Sequence, residues 1–310
     1  MKEIKSNEQN FPSLEVQEKR KKVLLLCVDN DPESRMILQL AEKAGIHFIR
    51  STQPLGARLD QESEIARRIG ITDFPEVWTV EMPGPELERE LQKLGKNISP
   101  IDHHSYGKGE DLLDRTKDKS GVRRTSSLEQ FIERAGITDD EMRSWGFDPK
   151  TTRGLGIFDD RYVQGLRDEG YSQEEINRVV DSNVTLRIQL DPAFKAKMPV
   201  AEKVWSESAD QSGFLVLRSF YNQSIRAELS LISIKKGQDT KPLIIVDENG
   251  DKIYVQNIDP GIVARLQQKI HGGKKTFTFG AGRCWGVENT GSDNSVTVEE
   301  IFIAIENKNF

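Results

Sequence analysis

Short apolar runs alternate with amphipathic stretches along the first half of the chain. The run Val23–Val28 is apolar throughout, which is typical of a strand covered on both faces. Similar runs predict strands at 46–49, 77–80 and 98–101, and helical periodicity predicts helices at 33–44, 61–69 and 86–94. Gly45 and Gly95 follow two of these helices, where a helix-ending glycine is expected. The alternation predicts an α/β domain built on a doubly wound, mainly parallel sheet.

The second half of the chain predicts another, smaller α/β domain. Apolar runs predict strands at 214–217, 229–234, 243–246, 253–255 and 301–305, and a helix at 260–270. Asn249-Gly250 lies between two of these strands and predicts a hairpin. Helices are predicted at 161–184, with a cap and an acidic first turn at 171–175, and again after Asp191-Pro192. The predicted organisation is a flexible polar tail at 1–22, a first domain at 23–190, a helical connector at 191–211 and a second domain at 212–310.

Acidic and imidazole side chains follow three of the predicted strands. In chain order they are Asp29 and Asp31, then Glu81, then Asp102, His103 and His104. Open α/β sheets bind ligands outside the carboxyl ends of their strands, so we expect these groups at one edge of the sheet. Carboxylate and imidazole are ligands that suit Mn²⁺ or Zn²⁺.

Some of these residues also have an alternative, purely structural interpretation. Asp31 followed by Pro32 is a good helix start, with an aspartate N-cap and proline at the first helical position. That interpretation leaves Asp29 unexplained. His103 and His104 also fit as structural histidines with satisfied hydrogen bonds.

Taken in series, the motifs resemble those of the DHH phosphoesterase superfamily, which includes RecJ-type exonucleases, oligoribonucleotide phosphatases, cyclic-dinucleotide phosphodiesterases and family II pyrophosphatases. Asp29-Asn30-Asp31 matches its D-x-D motif, Glu81 its middle acidic motif, and Asp102-His103-His104 its name-giving motif. The fourth motif is an aspartate that ends a G-I-x-x-D stretch. The segment 156–160 supplies it, with a spacing that favours Asp160 and leaves Asp159 open.

The resemblance implies a site, a cofactor and a second substrate-binding domain. It implies two Mn²⁺ ions, with Mg²⁺ as an alternative, held by Asp29, Asp31, Glu81, His103 and Asp160. Asp102 would orient the imidazoles and His104 would meet the phosphate as catalytic residues. A glycine-rich loop of the second domain would hold a substrate phosphate with Gly280, Gly282 and Arg283.

The chain departs from the family pattern at four positions. Glu81 stands where most members have aspartate, Pro32 where many have glycine, and Cys27 where an acid or a nearby histidine is common. These three bear on catalytic competence. Arg283 replaces the histidine of the glycine loop, and its guanidinium is still suited to phosphate because it forks onto two oxygens.

Length and composition predict a two-domain cytoplasmic protein. Its 310 residues suffice for two domains with separate cores. The two cysteines, Cys27 and Cys284, make no disulfide framework, which predicts a reducing, cytoplasmic setting. No apolar stretch approaches the roughly 20 residues of a membrane span. The opening 22 residues are too polar for a signal peptide, and their basic end, 19–22, is interpreted as solvated.

The charge of the chain favours a small substrate over a long nucleic-acid duplex. The formal net charge is −6, with basic residues dispersed among the acids. Proteins that grip long duplexes show a basic surface, because phosphate neutralisation dominates their affinity. A small nucleotide or a short oligonucleotide therefore fits better, with no membrane partner. Related proteins are often dimers, so a homodimer stays open.

Three hypotheses follow. The leading one is a phosphoesterase that hydrolyses phosphate esters of small nucleotides or short oligonucleotides with a hydroxide activated by two metal ions. The second is a non-catalytic protein of the same fold that binds a nucleotide or a metal, motivated by Glu81 and Pro32. The third is an ordinary α/β protein in which the Asp-His-His sequence is a coincidence.

Overall fold

The computed structural model describes residues 12–54, 56–62, 68–69, 72–106, 113–270, 275–279, 283–289 and 295–306. The chain divides into two compact units, residues 1–190 and 191–310. Both units combine helices with a β-sheet, so the predicted α/β class is confirmed.

The first unit contains four longer strands, two short ones and seven described helices. The strands are β1 (Val23–Val28), β2 (His47–Ser51), β3 (Glu76–Val80), β4 (Asn97–Ile101), β5 (Ser105–Tyr106) and β6 (Leu113–Asp114). The helices are α1 (Leu14–Lys21), α2 (Pro32–Lys43), α3 (Pro85–Lys93), α4 (Ser127–Ala135), α5 (Asp139–Ser144), α6 (Pro149–Asp168) and α7 (Gln173–Leu190), and a 3₁₀ turn covers Leu59–Gln61. Most of the helix predicted at 61–69 lies outside the described residues.

The main sheet of this unit is parallel, with strand order β2-β1-β3-β4. Its order reverses between β1 and β3, which makes the carboxyl end of that pair a topological switch point. Cys27 lies opposite Val80, and Val80 lies opposite Ile101. The residues that follow β1, β3 and β4 therefore meet at one edge, as the sequence predicts.

Apolar side chains cover both faces of this sheet. One face packs Leu26 and Val77 against Leu59 and Leu91, all buried. On the other face, Trp78 meets Phe131 of α4 edge to face, with 6.1 Å between ring centroids. Burial on both faces explains why β1 is apolar throughout.

Helix α1 differs from the sequence prediction. Residues 1–22 are predicted as a flexible tail, but α1 forms at Leu14–Lys21, with Ser13 as its N-cap. Arg20 is only 4% exposed and binds both oxygens of Glu141, at 2.7 and 2.9 Å. It also donates to the carbonyl oxygens of Ala135 and Gly136. The partners that bury Arg20 lie more than 100 residues away in the chain, so the local basic pattern did not reveal them.

The second unit contains a six-stranded mixed sheet in the order β11-β12-β10-β9-β8-β7. Its strands are β7 (Ala209–Gln211), β8 (Phe214–Ser219), β9 (Leu243–Asp247), β10 (Lys252–Gln256), β11 (Lys275–Phe279) and β12 (Cys284–Glu288). Its described helices are α8 (Pro192–Ser206), α9 (Arg226–Lys235), α10 (Pro260–Lys269) and α11 (Val298–Glu306). The hairpin predicted around Asn249-Gly250 is confirmed as the antiparallel pair β9–β10.

Helix α8 belongs to the core of the second unit, although the sequence prediction places it in a connector. Ala201 and Trp205 of α8 pack in one buried cluster with Leu217 of β8 and Leu229 of α9. The opposite side of the sheet is covered by another cluster that includes Leu266 of α10 and Ile301 of α11.

Two strand predictions in the second unit are wrong, because both segments are helical. The segment 229–234 is part of α9, where Leu229 and Ile232 lie on the same helical side and pack in the core. The segment 301–305 is part of α11, and Ile301 and Ala304 bury at helical spacing. Thr297 and Glu300 exchange capping hydrogen bonds at its start, a helix signal that the β-branched run obscured.

No described helix combines the length and the apolar character needed to cross a membrane.

Candidate metal centre

Four side chains of the first unit converge at the switch point of the parallel sheet. Glu81, His103, His104 and Asp159 each present a ligand atom within 4.8 Å of the others. Glu81 Oε1 lies 3.9 Å from Nδ1 of both His103 and His104, and Asp159 Oδ2 lies 3.5 Å from His103 Nε2. Three of the four residues follow strands β3 and β4, and Asp159 reaches the cluster from α6. We refer to these four residues as the acid–histidine cluster.

Glu81 is held in an unusual backbone conformation. Its φ is 52°, in the left-handed region that non-glycine residues rarely occupy, and its N–H donates to Ile101 O at 3.1 Å. Such conformations cost about 1–3 kcal/mol and concentrate at functional sites. Its Oε1 is buried and has no hydrogen-bond partner among the described residues. A buried carboxylate oxygen without a partner is expensive, and a cation in the cluster would satisfy it.

Ser127 at the start of α4 orients His103. Its N–H lies 3.1 Å from His103 Nδ1, and its Oγ lies 3.3 Å from the same atom. Because the Ser127 N–H donates to Nδ1, the proton of the neutral ring is on Nε2, where it faces Asp159. A metal ion bound at Nε2 would take the place of that proton, and the contact at Nδ1 would hold the ring in position.

Asp102 orients His104 and keeps it charged. Asp102 is fully buried, and its Oδ1 accepts from His104 N at 3.0 Å and from Tyr106 Oη at 3.2 Å. His104 Nδ1 lies 3.3 Å from the same oxygen. This hydrogen bond raises the pKa of His104 to about 9. His104 therefore carries a proton at neutral pH, which suits contact with a phosphate better than metal ligation.

Carboxyl groups outnumber histidines in and around the cluster. Burial, followed by the charge of Asp159, raises the pKa of both Asp31 and Glu33. Burial also opposes ionisation of Asp159, but its hydrogen bond to His103 leaves the Asp159 pKa below the ordinary value. A divalent cation would offset this concentration of negative charge. The residues present therefore fit Mn²⁺, whose preferred ligands are carboxylate and imidazole.

Sequence reasoning missed Glu33. It is 1% exposed and accepts from Leu128 N at 2.8 Å through Oε1, while its Oε2 has no hydrogen-bond partner among the described residues. Asp159 lies close enough for its charge to add to the effect of burial in raising the pKa of Glu33. An acidic residue in the first turn of a helix is ordinary, so its position two residues after Asp31 gave no distinct signal.

The structure does not bring Asp29 and Asp160 into the cluster. Asp29 Oδ1 lies 2.6 Å from Arg35 Nε, and its Oδ2 lies 3.3 Å from Arg50 Nε. Asp160 binds Arg123 at 2.8 Å. Asp159, the alternative that the motif left open, supplies the α6 carboxylate instead.

The other predicted site residues have separate positions. Asp31 is the N-cap of α2 and accepts from Ser34 N at 2.8 Å, so its structural interpretation is confirmed. It also lies near enough to raise the pKa of Glu81. Gly280 and Gly282 lie outside the described residues, and Arg283 is exposed in the second unit.

The metal-free protein is expected to lose stability as pH rises from about 5 to about 8. Burial, and then the charges of Asp31 and Asp159, raises the pKa of Glu81 from 4.5 to about 7. Between these values the folded state keeps a proton that the unfolded chain has released, so the free energy of unfolding falls as pH rises. The Glu81 contribution is about 3 kcal/mol.

Thermal unfolding of metal-stripped wild-type and Glu81→Gln protein across this pH range measures the effect. The variant should lose less stability with rising pH than the wild type. A wild-type stability that stays constant or rises would contradict the expectation.

No protein-family model matches the chain, and no curated protein matches it. Several solved structures are similar to it. The exonuclease RecJ bound to manganese is 14% identical, with 90% of this chain and 91% of that chain covered and a TM-score of 0.35. The pGpG-specific phosphodiesterase PggH from Vibrio cholerae is 10% identical, with 86% and 92% covered and a TM-score of 0.43.

A putative family II inorganic pyrophosphatase from Methanococcus jannaschii is 14% identical, with 91% of this chain and 98% of that chain covered and a TM-score of 0.27. These three solved structures are DHH superfamily proteins, the kind that the sequence motifs resemble.

Proposed function

We propose that the chain is a metal-dependent phosphoesterase that acts on phosphate esters of small nucleotides or short oligonucleotides. The observation that carries the proposal is the acid–histidine cluster, in which the buried Glu81 Oε1 lacks a partner among the described residues. The net charge of −6 favours a small substrate over a long duplex.

The proposed ligands are Asp31, Glu81, His103 and Asp159. A divalent ion held by them, Mn²⁺ by the chemistry of the ligands and Mg²⁺ as the alternative, supplies positive charge that polarises a phosphoryl oxygen. Ser127 fixes the His103 ring, and the Ile101 carbonyl holds the Glu81 backbone. These contacts keep the donor set in place before substrate arrives, which is the source of electrostatic preorganisation.

His104 is proposed to meet the substrate phosphate or its leaving oxygen. Asp102 holds the ring through Nδ1 and keeps it protonated, so Nε2–H is left to donate. The His104 side chain is 43% exposed, in contrast to the buried His103. A charged donor at this position stabilises negative charge that develops on oxygen. The phosphate-binding role of Gly280, Gly282 and Arg283 stays a prediction from the sequence resemblance.

The test is hydrolysis by metal-stripped protein resupplied with Mn²⁺. An aryl phosphodiester, short oligoribonucleotides and cyclic dinucleotides serve as substrates. Turnover should return with Mn²⁺ and be lost in Asp31→Asn, a change that keeps a good N-cap. Asp148→Asn is the matched control, because Asp148 is also an N-cap aspartate but lies away from the acid–histidine cluster. Metal-independent turnover, or full activity of Asp31→Asn, would contradict the proposal.

A second candidate is a non-catalytic protein that binds a metal or a nucleotide through the same residues. The pairing of Asp29 and Asp160 with arginines favours it, because two carboxylates of the implied site are already engaged. Metal binding without turnover of any substrate in the panel would support this candidate.

A further inference from the structure

We infer that this centre holds one divalent ion per chain, and that Arg35 and Arg50 close the second metal position by binding Asp29. The inference rests on the proposed metal binding at the acid–histidine cluster. It departs from the pair of ions that the sequence resemblance implies.

Both oxygens of Asp29 are engaged by guanidinium groups. Arg35, on the first turns of α2, approaches Oδ1 to 2.6 Å, and Arg50, on β2, approaches Oδ2 to 3.3 Å. The Asp29 side chain is only 6% exposed. Taking a buried carboxylate away from such partners is costly, because it leaves uncompensated charge in a poorly hydrated place.

The two arginines also oppose a cation at Asp29 directly. Like charges repel more strongly as they approach, and the double charge of a divalent ion doubles its repulsion from each guanidinium group. A metal ion that used Asp29 would meet Arg35 and Arg50 at once. The guanidinium groups thus supply the positive charge that a second ion would bring.

Two other residues that could replace Asp29, Cys27 and Asp160, have partners of their own. Cys27, two residues earlier, is fully buried, and its Sγ lies 3.3 Å from Val28 O and 3.6 Å from Ser34 O. The thiol hydrogen therefore faces carbonyl oxygens. Asp160, another ligand that the resemblance implies, is bound by Arg123 at 2.8 Å, with Arg161 Nε at 3.6 Å.

The test counts ions on the whole chain. Metal-stripped protein is titrated with Mn²⁺, bound metal is measured by elemental analysis, and the electron paramagnetic resonance spectrum is recorded. We expect about one tightly bound Mn²⁺ per chain, with the spectrum of an isolated ion. Two tightly bound ions, or the spectrum of an exchange-coupled pair, would overturn the inference.

Two variants locate the ion. Asp29→Asn should change Mn²⁺ affinity less than about threefold, whereas Asp159→Asn should weaken it at least about 100-fold, since removing even an outer-shell partner of a metal ligand costs 10–100-fold. Circular dichroism checks that each variant is folded. If Asp29→Asn does not fold, the number of ions bound by the wild type alone tests the single-ion inference. Loss of an ion in folded Asp29→Asn would overturn the inference.

Failure of the inference and failure of the proposed function give different results. Two bound ions together with Mn²⁺-dependent hydrolysis would overturn the single-ion inference and leave the phosphoesterase in place. One bound ion without turnover of any substrate would support the inference and contradict the enzyme.

Discussion

Asp159→Asn is expected to remove metal-dependent hydrolysis, while Asp160→Asn leaves it nearly unchanged. Asp159 Oδ2 faces His103 Nε2 at 3.5 Å inside the acid–histidine cluster. Asp160 is bound instead by Arg123, whose side chain is exposed. The adjacent aspartates differ by about 100° around α6, so only one of them faces the cluster.

The expected loss for Asp159→Asn is about 10³-fold in kcat/KM, which corresponds to about 4 kcal/mol of transition-state stabilisation. The asparagine keeps the size of the side chain but removes its charge, so the fold should persist. Steady-state kinetics with an aryl phosphodiester and saturating Mn²⁺ measure both variants. Equal losses in the two variants, or a loss confined to Asp160→Asn, would return the assignment to Asp160.

Arg20→Met is expected to have the largest effect on stability, at about 3 kcal/mol. Arg20 makes a bidentate ion pair with Glu141, and both side chains are buried. Removing the guanidinium leaves the Glu141 carboxylate with one of its buried partners missing, and two carbonyl oxygens lose their donor. Helix α1 loses the contact that ties it to α5.

Lys21→Met is the matched control, because Lys21 is a neighbouring basic residue of α1 whose side chain is 63% exposed. Its salt bridge with Glu18 is worth less than about 1 kcal/mol. Chemical denaturation gives the free energy of unfolding of both variants. Equal, small effects would mean that α1 does not dock, and would support the flexible tail that the sequence suggests.

The sheet edge of the first unit was predictable because it depends on local signals. The run Val23–Val28 is apolar on both faces, and Glu81 and Asp102 follow directly after strands. Parallel pairing then brings these residues to one edge whatever the details of the helices. This reasoning brings Glu81, His103 and His104 together, and these three residues lie together in the cluster.

The identity of the fourth member of the cluster depends on which side of α6 faces His103, and the sequence left this open. The stretch 156–160 was interpreted as the end of a motif, but it lies inside α6, which begins at Pro149 after the N-cap Asp148. The N-cap and proline were visible signals for that helix. Which of Asp159 and Asp160 faces His103 also depends on how α6 packs, and no local pattern encodes that.

Long-range pairs account for the other differences. Arg20 is buried because it pairs with Glu141. Asp29 lies outside the cluster because it pairs with Arg50 of a neighbouring strand and with Arg35, one turn into α2. Charged residues are usually solvated, so a basic run or a nearby arginine carries little weight before the fold is known. The two mispredicted strands of the second unit failed for another reason, since β-branched residues in α11 outweighed its capping signal.

The central claim is that the acid–histidine cluster binds the metal. Pulsed electron paramagnetic resonance of Mn²⁺-loaded protein tests it most directly, because ¹⁴N modulation reports an imidazole on the ion. The account predicts ¹⁴N coupling in the wild type and in His47→Gln, whose exposed histidine lies on β2, and its loss in His103→Gln. Absence of ¹⁴N coupling in the wild type, or its persistence in His103→Gln, would contradict the account.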